Sequence, residues 1–124
     1  MTYSVGIDLE RVERFAGGPS DPDVRVLFTD TELTWCARGR RPAHRLAGTW
    51  CAKEAVVKAL WPWARLDPRR VSVVRTDDGG ASAAVSAADD ATRSVTISVT
   101  ISDAGPLASA FVVAYGAHLE PHDA

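Results

Sequence analysis

The chain is 124 residues long, enough for one hydrophobic core but not for two, so a single domain spanning residues 1–124 is expected. A net charge of −2 argues against a general nucleic-acid binder, because such domains carry a marked basic excess. No apolar run is long enough for a membrane span, and the start, Met1 to Val5, lacks the pattern of a secretory leader, so a cytoplasmic protein is expected.

Residues Tyr3 to Asp8 alternate, with Tyr3, Val5 and Ile7 on one side and Ser4, Gly6 and Asp8 on the other; this predicts a strand ending at a carboxylate. Val12 to Phe15 predicts a turn of helix before the Gly17-Gly18-Pro19 break, and Pro22 to Leu27 a short helix capped by Asp21 or Ser20. Thr29 with Glu32 three residues on is a capping-box signature for a helix running to about Arg38. After a basic loop, Gly39 to Pro42, the strongest helix spans Ala43 to Leu60 and ends before Pro62. Leu46, Trp50, Val57, Leu60 and Trp61 share one stripe of it, with Lys53 inside the stripe and Glu54 and Lys58 along its border. Strands are predicted at Val71 to Arg75, Ala81 to Ser86, Arg93 to Ser102 and Leu107 to Tyr115, with Asp77-Asp78-Gly79-Gly80 as a hairpin turn. A strand, then helices, then strands is an α+β order, and residues 117–124 are expected to be a flexible tail.

Cys36 and Cys51 show neither metal-ligand nor disulfide spacing, and His44, His118 and His122 do not cluster. Of the 14 basic residues only Lys53 and Lys58 are lysines, and they lie in one short segment. Ammonium and guanidinium differ in shape, hydration and acidity, so this retention hints at a requirement for ammonium. Glu54 stands on the edge of an apolar stripe; it reads either as an i to i+4 pair with Lys58 or as a metal ligand beside a phosphate-binding ammonium. Asp8, with Glu10 two residues on, reads either as a helix cap or as a ligand for a hard cation such as Mg²⁺. Arg38, Arg40, Arg41 and Arg45 read as a solvated loop, or as a contact for a nucleotide phosphate or an acidic carrier protein.

The stretches VGIDLE, Val5 to Glu10, and WCAKEAVVKAL, Trp50 to Leu60, resemble the paired signature of the 4′-phosphopantetheinyl transferase superfamily. GIDLERVERF, LFTDTEL, RLAGTWCAKEAVVKAL and VTISDAGPLASAFVVA follow in the order found in the holo-acyl-carrier-protein synthases, so the resemblance covers most of the chain. It implies an antiparallel sheet packed against one long and several short helices. It also implies transfer of phosphopantetheine from coenzyme A to a serine of an apo-acyl or peptidyl carrier protein, in fatty acid or specialised polyketide or peptide synthesis. By the same resemblance Asp8 and Glu54 hold Mg²⁺, with Glu10 a possible third ligand, and Lys58 lies near the phosphates. Lys53 packs its stem in the core while its head reaches the site, and Arg14 faces the carrier protein. Glu54 is the candidate base for the serine proton, and Asp8, Glu54 and Lys58 form the catalytic set. Arg45 belongs to the basic run assigned to substrate. The compact branch assembles as a homotrimer with sites between neighbours, for which the Trp61 to Trp63 region and the apolar closing strands are the expected interface.

Several positions depart from the family pattern. Thr49 stands where members carry an arginine, Trp61-Pro62-Trp63 replaces a glycine-rich loop, and Gly79-Gly80-Ala81 replaces a Gly-Lys-Pro turn. The helix before the penultimate strand is shortened to Ala87 to Thr92, and Asp103 occupies a position often held by histidine. Arg11 stands where an acid is frequent, with Glu10 beside it, a spacing closer to the larger branch of the superfamily. The alternative to a transferase is a non-catalytic member that binds a carrier protein or nucleotide, or a different carrier-linked chemistry on the same scaffold.

Overall fold

A computed structural model describes residues 2–86 and 90–116. Its centre is the long helix α3, Pro42–Leu60, which begins with proline in its first turn, where a missing N–H costs nothing. The predicted stripe understates its burial: from Leu46 to Leu60 only Glu54 and Lys58 reach solvent. Trp61 departs from the predicted stripe and is 53% exposed, whereas Trp63 turns inward. Before α3 come a one-turn helix α1, Pro22–Arg25, capped by Asp21, and α2, Asp30–Ala37. The capping box of α2 is complete: the Thr29 hydroxyl accepts from the Glu32 N–H, and the Glu32 carboxylate accepts from the Thr29 N–H.

One sheet has the order β1-β5-β4, with β1 Thr2–Arg11, β4 Thr96–Ala104 and β5 Leu107–Gly116 all antiparallel. Strand β1 does not stop at Asp8; its pairing with β5 continues through Arg11 opposite Leu107. A one-turn helix α4, Asp90–Arg93, replaces the predicted start of the fourth strand at Arg93, and β4 begins at Thr96. The second sheet is a hairpin of β2, Val71–Arg75, and β3, Ala81–Val85, whose turn uses Gly79 at φ +97°, the left-handed region open to glycine. The tail at 117–124, and most of the Ala87 to Thr92 segment, lie outside the described residues or their side chains.

The face of β1 that packs on α3 carries Ser4, Gly6 and Asp8, not the apolar set. A Cβ on Gly6 would lie 2.0 Å from the Ala55 carbonyl oxygen, so glycine is what lets strand and helix approach. The opposite face leaves Tyr3, Val5, Ile7 and Leu9 each 59–64% exposed. On β5, Phe111 and Leu107 extend this apolar surface, with Ile7 opposite Phe111 and Tyr3 opposite Tyr115. The inner face of β5, Ala108, Ala110, Val112 and Ala114, closes the core against α3 with small side chains. Among the described residues no helix is long and apolar enough to cross a membrane.

Candidate active site

The tight strand–helix contact at Gly6 brings Asp8 on β1 beside the last turns of α3. The Lys58 ammonium donates to Asp8 Oδ1 at 3.0 Å and to the Ile7 carbonyl at 2.9 Å, pinning the helix border to the strand. Glu54, one turn before Lys58, has its carboxyl pKa raised, first by burial and then by the Asp8 charge; Lys58 and Arg14 oppose the rise, and Glu10 adds a little to it. Asp8, Glu54 and Lys58 therefore form one electrostatic group built from two elements far apart in the chain. Glu10 points to the same neighbourhood, but its carboxylate is taken up by Arg14 at 2.6 Å and by the Arg11 N–H at 3.0 Å. Arg14 also lies over the rings of Phe15 and Trp50, at 5.4 and 5.5 Å, and keeps part of its side chain in solvent. Among the described residues no three of His, Cys, Asp and Glu gather closely enough to hold an ion alone. A pair of carboxylate oxygens suits a hard cation that completes its shell with water and substrate phosphate.

Lys53 corrects the sequence reading. Its head does not reach this group but is fully buried, donating to Glu32 Oε1 at 2.6 Å and to the Val71 carbonyl at 2.7 Å. The ring of Phe28 lies 5.7 Å from the ammonium. Glu32, read from sequence only as a capping residue, also accepts from the Val73 N–H at 2.7 Å. The ion pair thus satisfies the open edge of β2 and ties it to α2 and α3, because an ammonium in the core demands a carboxylate and full hydrogen bonding. Cys51, two residues before Lys53 and on another face of the helix, gives its thiol to the Ala108 carbonyl.

A second concavity, of about 430 Å³, is lined by Trp35, Arg40, Arg41, His44, Arg45 and Arg75, with Asp77 and Asp103 as its acids. Arg45 donates to the Trp35 carbonyl at 2.8 Å, with its guanidinium carbon 3.7 Å from the centre of the Trp35 ring. His44 Nε2 lies against both Arg41 and the Gly105 carbonyl at the β4–β5 turn, and its tautomer decides whether it accepts from the first or donates to the second. Arg38 lines the neighbouring groove between α2 and β2. The basic run is therefore split, and Arg75, which carries no distinguishing local signal in the sequence, joins it from the end of β2.

The family model for the 4′-phosphopantetheinyl transferase superfamily matches residues 4–115. The chain belongs to this superfamily. It is 35% identical to a holo-[acyl-carrier-protein] synthase of Clavibacter michiganensis, over 94% of this chain and 98% of that relative. With the synthase of Protochlamydia amoebophila it is 41% identical over 63 residues, and there the match spans about half of either protein, 48% of this chain and 52% of the relative. Among solved structures, the acyl carrier protein synthase of Mycobacterium tuberculosis superposes with a TM-score of 0.71 at 28% identity, covering 91% of this chain and 96% of that one. The synthase–coenzyme A complex of Chronobacterium ammoniagenes has the same fold, with a TM-score of 0.74 at 21% identity over 94% of this chain and 98% of that one. Against this phosphopantetheinyl transferase fold, the expected α+β architecture with one long helix and an antiparallel sheet holds.

Proposed function

We propose that the chain transfers 4′-phosphopantetheine from coenzyme A to a serine of an apo-acyl carrier protein, with Mg²⁺ held by Asp8 and Glu54. The observation that carries this reading is the grouping of Asp8, Lys58 and a partly desolvated Glu54 across the β1–α3 contact. The serine hydroxyl attacks the β-phosphorus of coenzyme A; a new P–O bond forms, the bond to the bridging oxygen breaks, and adenosine 3′,5′-bisphosphate leaves. Removal of the serine proton is assigned to Glu54, one turn before Lys58 on α3. The Lys58 ammonium, held at the strand by Asp8 and the Ile7 carbonyl, stabilises charge gathering on the phosphate oxygens. When bound, Mg²⁺ supplies charge neutralisation for the diphosphate.

Arg14, beside this group and partly in solvent, is assigned to the acidic carrier protein. Arg45, in the basic cleft, is assigned to the nucleotide end of coenzyme A. Lys53 is left out of the substrate contacts because its ammonium is enclosed with Glu32. We assign the reaction to the cytoplasm, in fatty acid synthesis or a specialised polyketide or peptide pathway, with neither nucleic acid nor membrane as partner. The exposed apolar face of β1 and β5 supports self-association, since such a face is costly to leave in water, and we assign it to the homotrimer that the resemblance implies.

The test is incubation of the intact chain with an apo-acyl carrier protein, coenzyme A and Mg²⁺, read by intact-protein mass spectrometry. The expected result is a Mg²⁺-dependent gain of one phosphopantetheine, lost in Glu54→Gln at saturating Mg²⁺. Tight carrier binding with no mass gain identifies a non-catalytic member instead, and near-normal turnover in Glu54→Gln removes the base assignment.

A further inference from the structure

Two guanidinium groups share one indole at the basic cleft. Arg45 lies 3.7 Å and Arg75 4.5 Å from the centre of the Trp35 ring. Arg75 Nη1 donates to the Arg45 carbonyl at 3.0 Å and to the Thr49 hydroxyl at 3.3 Å, so its position is fixed by α3. Burial lowers the Arg75 pKa, and the Arg45 charge pushes the same way. Arg40 and Arg41 complete the basic lining; of the two acids, Asp77 is 4.0 Å from Arg45 with a largely exposed side chain. Four cations thus face two acids in a partly desolvated hollow. Gathering like charges there is unfavourable without an anion, and planar guanidinium forks match the oxygens of a phosphate.

We infer that Arg75 is a specificity-determining residue that binds the terminal phosphomonoester of the nucleotide donor, in place of the arginine that members of the superfamily carry at the position of Thr49. The inference rests on the proposed transferase reading for the identity of the donor. Thr49 is nearly fully buried on α3, and its hydroxyl, which donates to the Arg45 carbonyl at 2.8 Å, is the seat on which the Arg75 fork rests. A guanidinium arriving from β2 thereby reaches the spot that α3 itself no longer supplies. The occupant is a nucleotide phosphate and not the acidic surface of a carrier protein, because the Arg75 guanidinium is half-buried and faces a hollow of a size that suits a small anion.

The test is calorimetric titration of the intact protein with adenosine 3′,5′-bisphosphate and with adenosine 5′-monophosphate, for wild type, Arg75→Met and Arg75→Lys. Wild type is expected to prefer the bisphosphate by about 10- to 100-fold, the effect of one charge-assisted phosphate contact. Arg75→Met brings this ratio close to one while affinity for the monophosphate holds. Arg75→Lys, which keeps the charge without the fork, gives an intermediate ratio and carries the test if Arg75→Met fails to fold. An unchanged ratio in the folded variant overturns the inference, as does parallel weakening of both ligands, the mark of a merely structural role. A rise in KM for the carrier protein with the nucleotide ratio intact overturns it in favour of carrier docking. A chain that discriminates through Arg75 yet modifies no carrier loses the transferase reading alone. A chain that modifies a carrier while wild type and Arg75→Met use coenzyme A and dephospho-coenzyme A with the same preference loses the Arg75 reading alone.

Discussion

Lys53→Met separates a buried strut from a substrate contact. Methionine keeps the length and most of the volume of the stem but removes the ammonium, leaving Glu32 enclosed with a carboxylate that still accepts from the Thr29 and Val73 N–H groups. The Val71 carbonyl loses its donor as well. Breaking one side of a buried pair costs about 3–5 kcal/mol, because the remaining charge has neither water nor a counter-ion. For a chain of this size each kcal/mol is worth roughly 4 °C, so the melting midpoint should fall by about 12–20 °C. Adding Glu32→Gln should recover only part of the loss: the neutral amide tolerates burial, but its single oxygen keeps either the Thr29 or the Val73 N–H bond, and the other, facing the NH2 group, costs about 1–3 kcal/mol. Urea unfolding gives the stabilities, and steady-state kinetics below the midpoint gives the KM for coenzyme A, expected to change little. If Lys53→Met stays within 1 kcal/mol of wild type while that KM rises tenfold or more, the ammonium meets substrate and the burial argument fails.

Two further substitutions probe the strand–helix contact and the thiol beside it. Gly6→Ala sets a methyl group against the Ala55 carbonyl oxygen and 2.8 Å from the Ala59 nitrogen, both backbone, so the strand must withdraw; a loss of about 3 kcal/mol or more in urea unfolding is expected, and a loss below 1 kcal/mol would sink the packing account. The Cys51 thiol is pushed up to about 12, first by burial and then by the charges of Asp8, Glu10 and Glu54, from 9.0 when unfolded. The folded state then keeps a proton that the unfolded state has released, so stability falls as pH rises from about 9 to about 12. Cys51→Ala should flatten that decline in urea midpoints compared between about pH 8.5 and pH 10.5, and equal slopes for the two proteins would contradict the shift.

Local signals carried most of the architecture. Thr29 and Glu32 announce a helix start because both halves of the capping box are short-range hydrogen bonds. Direction proved harder than position. Alternation along β1 separates two faces without telling which is inward, and here the small-residue face turns in because only glycine clears the α3 backbone. The pattern around Lys53 likewise fixes its place on α3, whereas its orientation depends on Glu32, 21 residues earlier, and on the edge of β2. Arg75 had no signal at all. At the end of a strand it resembles any solvated cation until the fold seats it on Trp35 and Thr49.

The two charged regions impose a last constraint on how one donor molecule is held. Arg45 and Glu54 are nine residues apart on α3, two and a half turns, so they face opposite sides of the helix about 13 Å apart along its axis. The sheet repeats the separation: Asp8 lies on β1 and Asp103 on β4, at opposite edges of the β1-β5-β4 order. If Asp8 and Glu54 take the diphosphate and the cleft of Arg45 and Arg75 takes the phosphomonoester of the same nucleotide, as proposed, this separation predicts that the two are supplied by neighbouring copies. Mixing Glu54→Gln with Arg75→Met tests this directly. In randomly reassorted oligomers, sites pairing an intact Glu54 with an intact Arg75 from the next copy amount to about a quarter, so at coenzyme A well below the wild-type KM, where Arg75→Met is slow, the mixture should regain about a quarter of wild-type transfer. Activity no higher than the average of the separate variants, with subunit exchange shown by mass spectrometry, would mean that each chain works alone.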